Sequence, residues 1–281
     1  MTEAMQTDPA DERVAAIQQL WSDGDYARIG EMFAPISERI VGELDDRIGL
    51  ADVEALDAAT GTGNTALALA RAGANVRAFD LTPTLLAKAR ERASTAGLEV
   101  DFVEGDLLAI PFPDRTFELV VSTFGAFTAD DHHRCMAELV RVTRLGGTVV
   151  SAAWADEGFF ATLRTTVIER HPELLDPSLP DPQAWSQPDA INEMLEGLPA
   201  MAAVELRQQS FRFASTTAAL ELLEDVSGPV HRMRDGVIHQ GGDWAQLRAE
   251  IIDRWDEEAM PVDGGVQLTG TYGVARIAVA G

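Results

Sequence analysis

From "DERVAAIQQLW" through "DYARIGEMFAPISERIVGELDDRI" apolar residues recur every three or four positions. That spacing gathers them on one face of a 3.6-residue turn and predicts helices over 11–48, broken near Gly24 and Pro35. "VEALDAA" then switches to a short apolar run ending at a glycine turn, the pattern of a buried strand. Beyond it the periods alternate: helix 64–72, strand "NVRAFD", helix 83–96, strand "EVDFVEGD", a turn "IPFPDRT", strand "FELVVSTF", helix 131–143 closed by Gly146 and Gly147, and strand "TVVSAAW". Strands separated by helices in this way make repeated βαβ units, which build a parallel sheet covered on both faces.

After Trp154 the rhythm changes. Five prolines in "HPELLDPSLPDPQAWSQP" exclude a regular helix or central strand over 171–188 and predict an irregular excursion along the surface. A helix "DAINEMLEG", an alternating segment "AVELRQQSFRF", helical material around 216–226 and 243–258, and a β-branched close "GTYGVARIAVA" follow. The last two strand segments read as additions to the same sheet, with 214–262 a helical insertion over one edge.

The 281 residues suffice for one α/β domain and an elaboration, and 46% hydrophobic against 24% charged residues is the balance of a globular enzyme. A net charge of −24 repels polyanions and anionic lipid, so neither nucleic acid nor a membrane surface is an expected partner. The single cysteine, Cys135, excludes an internal disulfide, and its place in "HHRCMAELV" is that of a small core residue. No metal site is expected. The N-terminal "MTEAMQTDPADER" lacks a secretory pattern, and no apolar run reaches the roughly 20 residues that span a bilayer, so the expected location is cytoplasmic.

Candidate chemistry centres on the glycine turn. Gly61-Thr62-Gly63-Asn64-Thr65-Ala66 fits the G-x-G-x-x-A pattern of dinucleotide sites, where glycines let backbone approach a ligand. Asp57, ending the first strand beside that turn, would repel a pyrophosphate and attract an ammonium, unless it only caps the turn. Asp80 ends the second strand; Thr82 and Pro83 already offer a cap and a first-turn proline to the next helix, which leaves this carboxylate for both hydroxyls of a ribose. Asp106 ends the third strand, where it can accept a hydrogen bond from an adenine amino group beside Leu107 or Leu108, or simply form the turn in "EGDL".

These residues resemble class I S-adenosylmethionine-dependent methyltransferases. "LDAATGTGN" is similar to the family's first motif, "AFDLTP" carries the ribose acid, and "EGDLLAIPFPDRTFELVVS" carries Asp106. "ELVRVTRLGG" resembles the lead into the fifth strand, and "AWSQPDAINEMLEGLPAMAAVEL" the segment after it in small-molecule members such as those acting on quinone precursors. Ala59 stands where many members have glycine, and Leu145 where many have proline.

The resemblance implies an α/β, doubly wound, Rossmann-like sheet of seven mostly parallel strands with an antiparallel last strand. The methyltransferase domain would comprise 49–213 and 263–281, with 1–48, 155–200 and 214–262 forming a lid. S-adenosylmethionine would be held by Tyr26, Asp57, Ala59, Thr60, Gly61, Gly63, Asp80, Leu81, Asp106, Leu107, Thr123 and Phe124, leaving S-adenosylhomocysteine as product. Phe127, Trp154, Phe159, Phe160 and His231 would bracket a small apolar or aromatic acceptor. His132 or His133, after the fourth strand, would be a general base if one is needed, or else the two residues only begin the next helix. Tyr26 reads equally as packing. A nicotinamide-dependent oxidoreductase and a nucleotide-binding module without turnover are the competing readings, and a homo-oligomer is compatible with the N-terminal helical arm.

Overall fold

The computed structural model describes residues 9–281; most of the acidic N-terminal stretch and the start of the expected lid segment 1–48 lie outside the described residues. The chain opens with α1 (Pro9–Ser22) and α2 (Tyr26–Ile48), parted at Gly24. Gly24 has φ +115, and a Cβ there would stand 2.4 Å from the Val226 carbonyl oxygen, so glycine is needed for both the turn and the close approach.

Pro35 does not break α2, contrary to the sequence expectation. It removes one helix hydrogen bond, at a cost of about 3 kcal/mol. Ile36, Ile40, Val41 and Leu44 bury an apolar stripe on the same helix, and each such side chain contributes roughly 1.5–3 kcal/mol. Tertiary burial therefore outweighs the local defect.

The βαβ succession is as expected: β1 (Glu54–Ala58), α3 (Asn64–Arg71), β2 (Asn75–Asp80), α4 (Pro83–Ala96), β3 (Asp101–Glu104), β4 (Phe117–Thr123), α5 (His132–Val142) and β5 (Thr143–Gly158). One boundary moves. Helix α5 ends at Val142 and Thr143 already pairs with Phe117, while the next register pair is Leu119 with Thr148, so Arg144–Gly147 bulge out instead of closing the helix. The elements after the sheet crossover are α6 (Phe159–Arg170), α7 (Pro188–Met194), β6 (Ala200–Phe213), α8 (Thr216–Val226), α9 (Gly228–His239), α10 (Trp244–Glu258), β7 (Met260–Val262) and β8 (Gly265–Val279). Helix α9 and the short β7 escape the sequence reading, the first because its glycines and charged residues blur the apolar period.

Strand order is β3-β2-β1-β4-β5-β8-β6, with β1 to β5 parallel, β8 antiparallel to both β5 and β6, and β7 hairpinned onto β8. This is the doubly wound, Rossmann-like sheet with a reversed last strand, plus one three-residue strand. One face is covered by α2, α3, α4 and α6 with α8 to α10, and the other by α5, α7 and the short turn Pro182–Ser186. The proline-rich excursion is thus not confined to the surface: Trp185 is fully buried in that second layer. Among the described residues no helix is long and apolar enough to cross a membrane.

Candidate active site at the strand ends

The sheet order reverses between β1 and β4, and at that crevice, beyond the carboxyl ends of the strands, lies a cavity of about 180 Å³. Asp57, Ala59, Thr60, Gly61, Asp80, Leu81, Asp106, Leu107, Thr123, Phe124 and Tyr26 all line it, so the structure brings together all but one of the residues expected to hold the donor. The exception is Gly63. It has φ +90 and a Cβ there would meet that of Ala89 at 3.2 Å, so this glycine serves the packing of the turn against α4.

The turn is held by its own acids. Asp57, 2% exposed, accepts hydrogen bonds on one oxygen from the Thr60 hydroxyl at 2.6 Å and the Ala66 amide at 2.8 Å, tying the end of β1 to the first turn of α3. Burial pushes its carboxyl up to about 7, against those two hydrogen bonds. Asp80 is not left free, as the sequence suggested: its two oxygens accept the Gly61 and Thr82 amides, each at 2.8 Å, and Thr82 makes no side-chain cap. Each oxygen retains a second lone pair, so two ribose hydroxyls can still be accepted. Burial raises the Asp80 pKa as well.

Asp106 accepts the Leu108 amide at 2.9 Å and is ion-paired with Arg13 of α1, whose guanidinium also reaches Asp130 at 3.2 Å. Ala59 adopts φ +55, a conformation that costs an alanine about 1 kcal/mol. Its Cβ lies 2.6 Å from where a Cβ on Gly125 would stand, so Gly125 is the space that makes alanine workable in this turn. Gly61, at φ +54, faces open space, and its backbone is bare toward the cavity.

Several acceptor and base assignments need correction. The His132 ring nitrogen lies 3.1 Å from the Phe127 carbonyl oxygen and the ring sits edge-on to Trp185 at 5.6 Å, in the α5 layer; burial lowers its pKa. His133 is exposed, and neither histidine lines the cavity. His231 is turned to the Glu224 carbonyl oxygen at 2.6 Å and to Asp23 at 3.5 Å, fastening α9 to its neighbours. Phe127 packs in the opposite layer with α5. Trp154, Phe159 and Phe160 do form an aromatic assembly, but it stands behind the wall: Trp154 stacks on Phe124 at 4.2 Å and 15°, and the Trp255 indole donates to the Phe159 carbonyl. Of this assembly, Phe124 and Phe33, 5.4 Å apart, are the rings that reach the cavity. The Tyr26 ring lines it too, while its hydroxyl accepts the Gly228 amide at 3.0 Å and burial raises its pKa. Of the three segments expected to form the lid, 1–48 supplies lining residues, from α1 and α2, and neither 155–200 nor 214–262 does.

Arg13, Phe33, Ser37, Asn64 and Thr65 are lining residues that sequence reasoning missed. Ser37 carried a signal, being a polar residue inside the apolar stripe of α2. Asn64 Nδ2 donates to the Gly30 carbonyl at 2.7 Å, and its Oδ1 is buried without a hydrogen-bond partner among the described residues.

A parallel sheet with acids at three successive strand ends around its reversal point defines the nucleotide-binding Rossmann-like class, in a version that offers negative charge to its ligand. The family profile described as "Methyltransferase domain" matches residues 55–147. An uncharacterized protein of Mycobacterium tuberculosis is 38% identical over 252 residues, 87% of this chain and 90% of the relative. The demethylmenaquinone methyltransferase of Thermus thermophilus is 46% identical over 97 residues, 34% of this chain and 44% of that enzyme. A crystal structure of a Bacillus halodurans protein assigned to the methyltransferases superposes with a TM-score of 0.59 at 22% identity, over 87% of this chain and 99% of that one, a likeness of fold. The chain belongs to the class I S-adenosylmethionine-dependent methyltransferases, and this membership replaces the nicotinamide reading of its glycine pattern. The residues present fit the family's cofactor: Gly61 is bare where backbone must approach a ligand, and the stranded Asn64 oxygen is an acceptor suited to an ammonium.

Proposed function

We propose that the protein transfers a methyl group from S-adenosylmethionine to a small apolar or aromatic molecule. The observation that carries this reading is one cavity lined both by the carboxylates Asp57, Asp80 and Asp106 and by the Phe33 and Phe124 rings. The donor, when bound, supplies a methyl group already activated on positively charged sulfur. Asp80 would take the ribose hydroxyls, Asp106 and Leu107 the adenine, and Asp57 the positive charge. Phe33 and Phe124, backed by Trp154, would exclude water and hold a planar or apolar acceptor for in-line approach.

A thermal-shift comparison of S-adenosylhomocysteine with NADH, followed by a radiolabelled methyl-transfer panel, tests the proposal. We expect stabilisation by the first ligand of roughly 2.7 kcal/mol at about 100 times its Kd, and label passing to aromatic or apolar acceptors. Stabilisation by NADH alone, or label passing only to highly charged acceptors, would overturn it.

A further inference from the structure

Asp106 divides its two oxygens between different donors. Oδ1 accepts the Leu108 amide at 2.9 Å, and Oδ2 takes the guanidinium of Arg13 from α1. The second terminal nitrogen of that guanidinium lies 3.2 Å from Asp130, so one cation is shared by two carboxylates. Arg13 and Asp106 line the cavity and Asp130 does not. All three side chains are partly shielded, with Arg13 28%, Asp106 23% and Asp130 34% exposed. Their attraction is therefore stronger than between fully solvated ions, yet still within reach of dissolved salt.

The Leu108 amide fixes Oδ1 within its own turn, so Arg13 and an adenine amino group are rival donors to Oδ2. A charge-assisted hydrogen bond is roughly twice as strong as a neutral one, and the amino group does not displace the guanidinium unaided. A second anion changes the exchange, because Arg13 then gives up one of two carboxylates and stays paired. We infer that Arg13 is a built-in competitor for the adenine acid, and that Asp130 is the carboxylate to which it withdraws as the donor binds. Asp130 is thus a positioning residue that sets donor affinity through Arg13, from outside the cavity. This rests on the methyltransferase reading above and deepens it. Its consequence is an unusual response to salt: screening loosens Arg13 from Asp106, so added salt tightens binding. Direct attraction between a cationic donor and a chain of net charge −24 would give the opposite trend.

Calorimetric titration with S-adenosylhomocysteine, which has no net charge, tests this between about 0.02 M and about 0.5 M potassium chloride. For the wild-type protein the affinity is expected to rise with salt by about threefold to fivefold, the scale of one partly exposed ion pair. Arg13→Gln should bind more tightly at low salt and lose the salt response. Asp130→Asn should bind about threefold to fivefold more weakly at low salt, on the same scale. Asp130→Glu should restore the wild-type behaviour, and Arg13→Gln with Asp130→Asn should behave as Arg13→Gln alone. A wild-type affinity that is flat or falls with salt would overturn the inference. So would an Asp130→Asn effect that persists when Arg13 is already glutamine. If the wild-type protein does not bind S-adenosylhomocysteine at any salt concentration, it is the methyltransferase reading that falls.

Discussion

At the residue scale, Asp57 links the turn to pH. Its ordinary value of 3.8 is pushed up to about 7 by burial, so between those values the folded chain binds a proton that the unfolded chain has released. Stability of the ligand-free protein should therefore fall as pH rises through this window. A bound positive charge reverses the preference by favouring the ionised form. Affinity for S-adenosylmethionine should rise between pH 6 and pH 8 with release of a proton, measurable by titration in buffers of different ionisation enthalpy; pH-independent affinity would contradict the role given to Asp57. Ala59 and Gly125 form a second local couple. Gly125→Ala places a methyl group against Ala59 and Ser122, and overpacking of this kind costs about 1–3 kcal/mol. Ala59→Gly removes one of those clashes and should recover part of the loss, so a double-mutant cycle on denaturant unfolding should be non-additive.

At the scale of elements, α1 closes the cavity. Arg13, Ile17 and Trp21 of this helix line the cavity of about 180 Å³. Among the described residues Arg13 bridges Asp106 and Asp130, Gln18 donates to the Leu81 carbonyl oxygen at 2.8 Å, and the Ser22 hydroxyl lies 3.1 Å from that of Thr84, so α1 is fastened over the cavity partly by polar contacts. Arg13→Ala should speed association of S-adenosylhomocysteine several-fold. Trp21, itself on the cavity, gives the fluorescence signal for stopped flow. An unchanged association rate would mean that the ion pair does not limit entry.

For the whole molecule, the N-terminal and C-terminal helical segments share one core with the sheet, since Ile36 and Ile40 of α2 and Leu220, Ile251 and Trp255 of α8 and α10 belong to a single buried cluster. The Tyr26 hydroxyl, accepting the Gly228 amide, joins the start of α2 to α9. Tyr26→Phe should lower stability by about 1 kcal/mol, seen as a fall in Tm of about 2 °C, with the Kd for S-adenosylhomocysteine unchanged. A large loss of affinity would instead make the hydroxyl a ligand contact.

The alternation of periods between Val53 and Trp154, and the acids at three strand ends, were legible because local rules act within a few residues: a strand ends where its apolar run ends, and in a parallel sheet those ends share one rim. Periodicity also found α2, yet it could not decide whether Pro35 breaks that helix, because the outcome depends on what the stripe after it buries. Nor could it find Arg13, Phe33 and Ser37 as lining residues, or remove His132, Trp154 and Phe160 from the cavity. Side-chain chemistry is written in the sequence, but which face of an element meets the cavity is set by packing of segments far apart in the chain. The acid rim was thus determined locally, and the identity of the groups opposite it was decided by the tertiary structure.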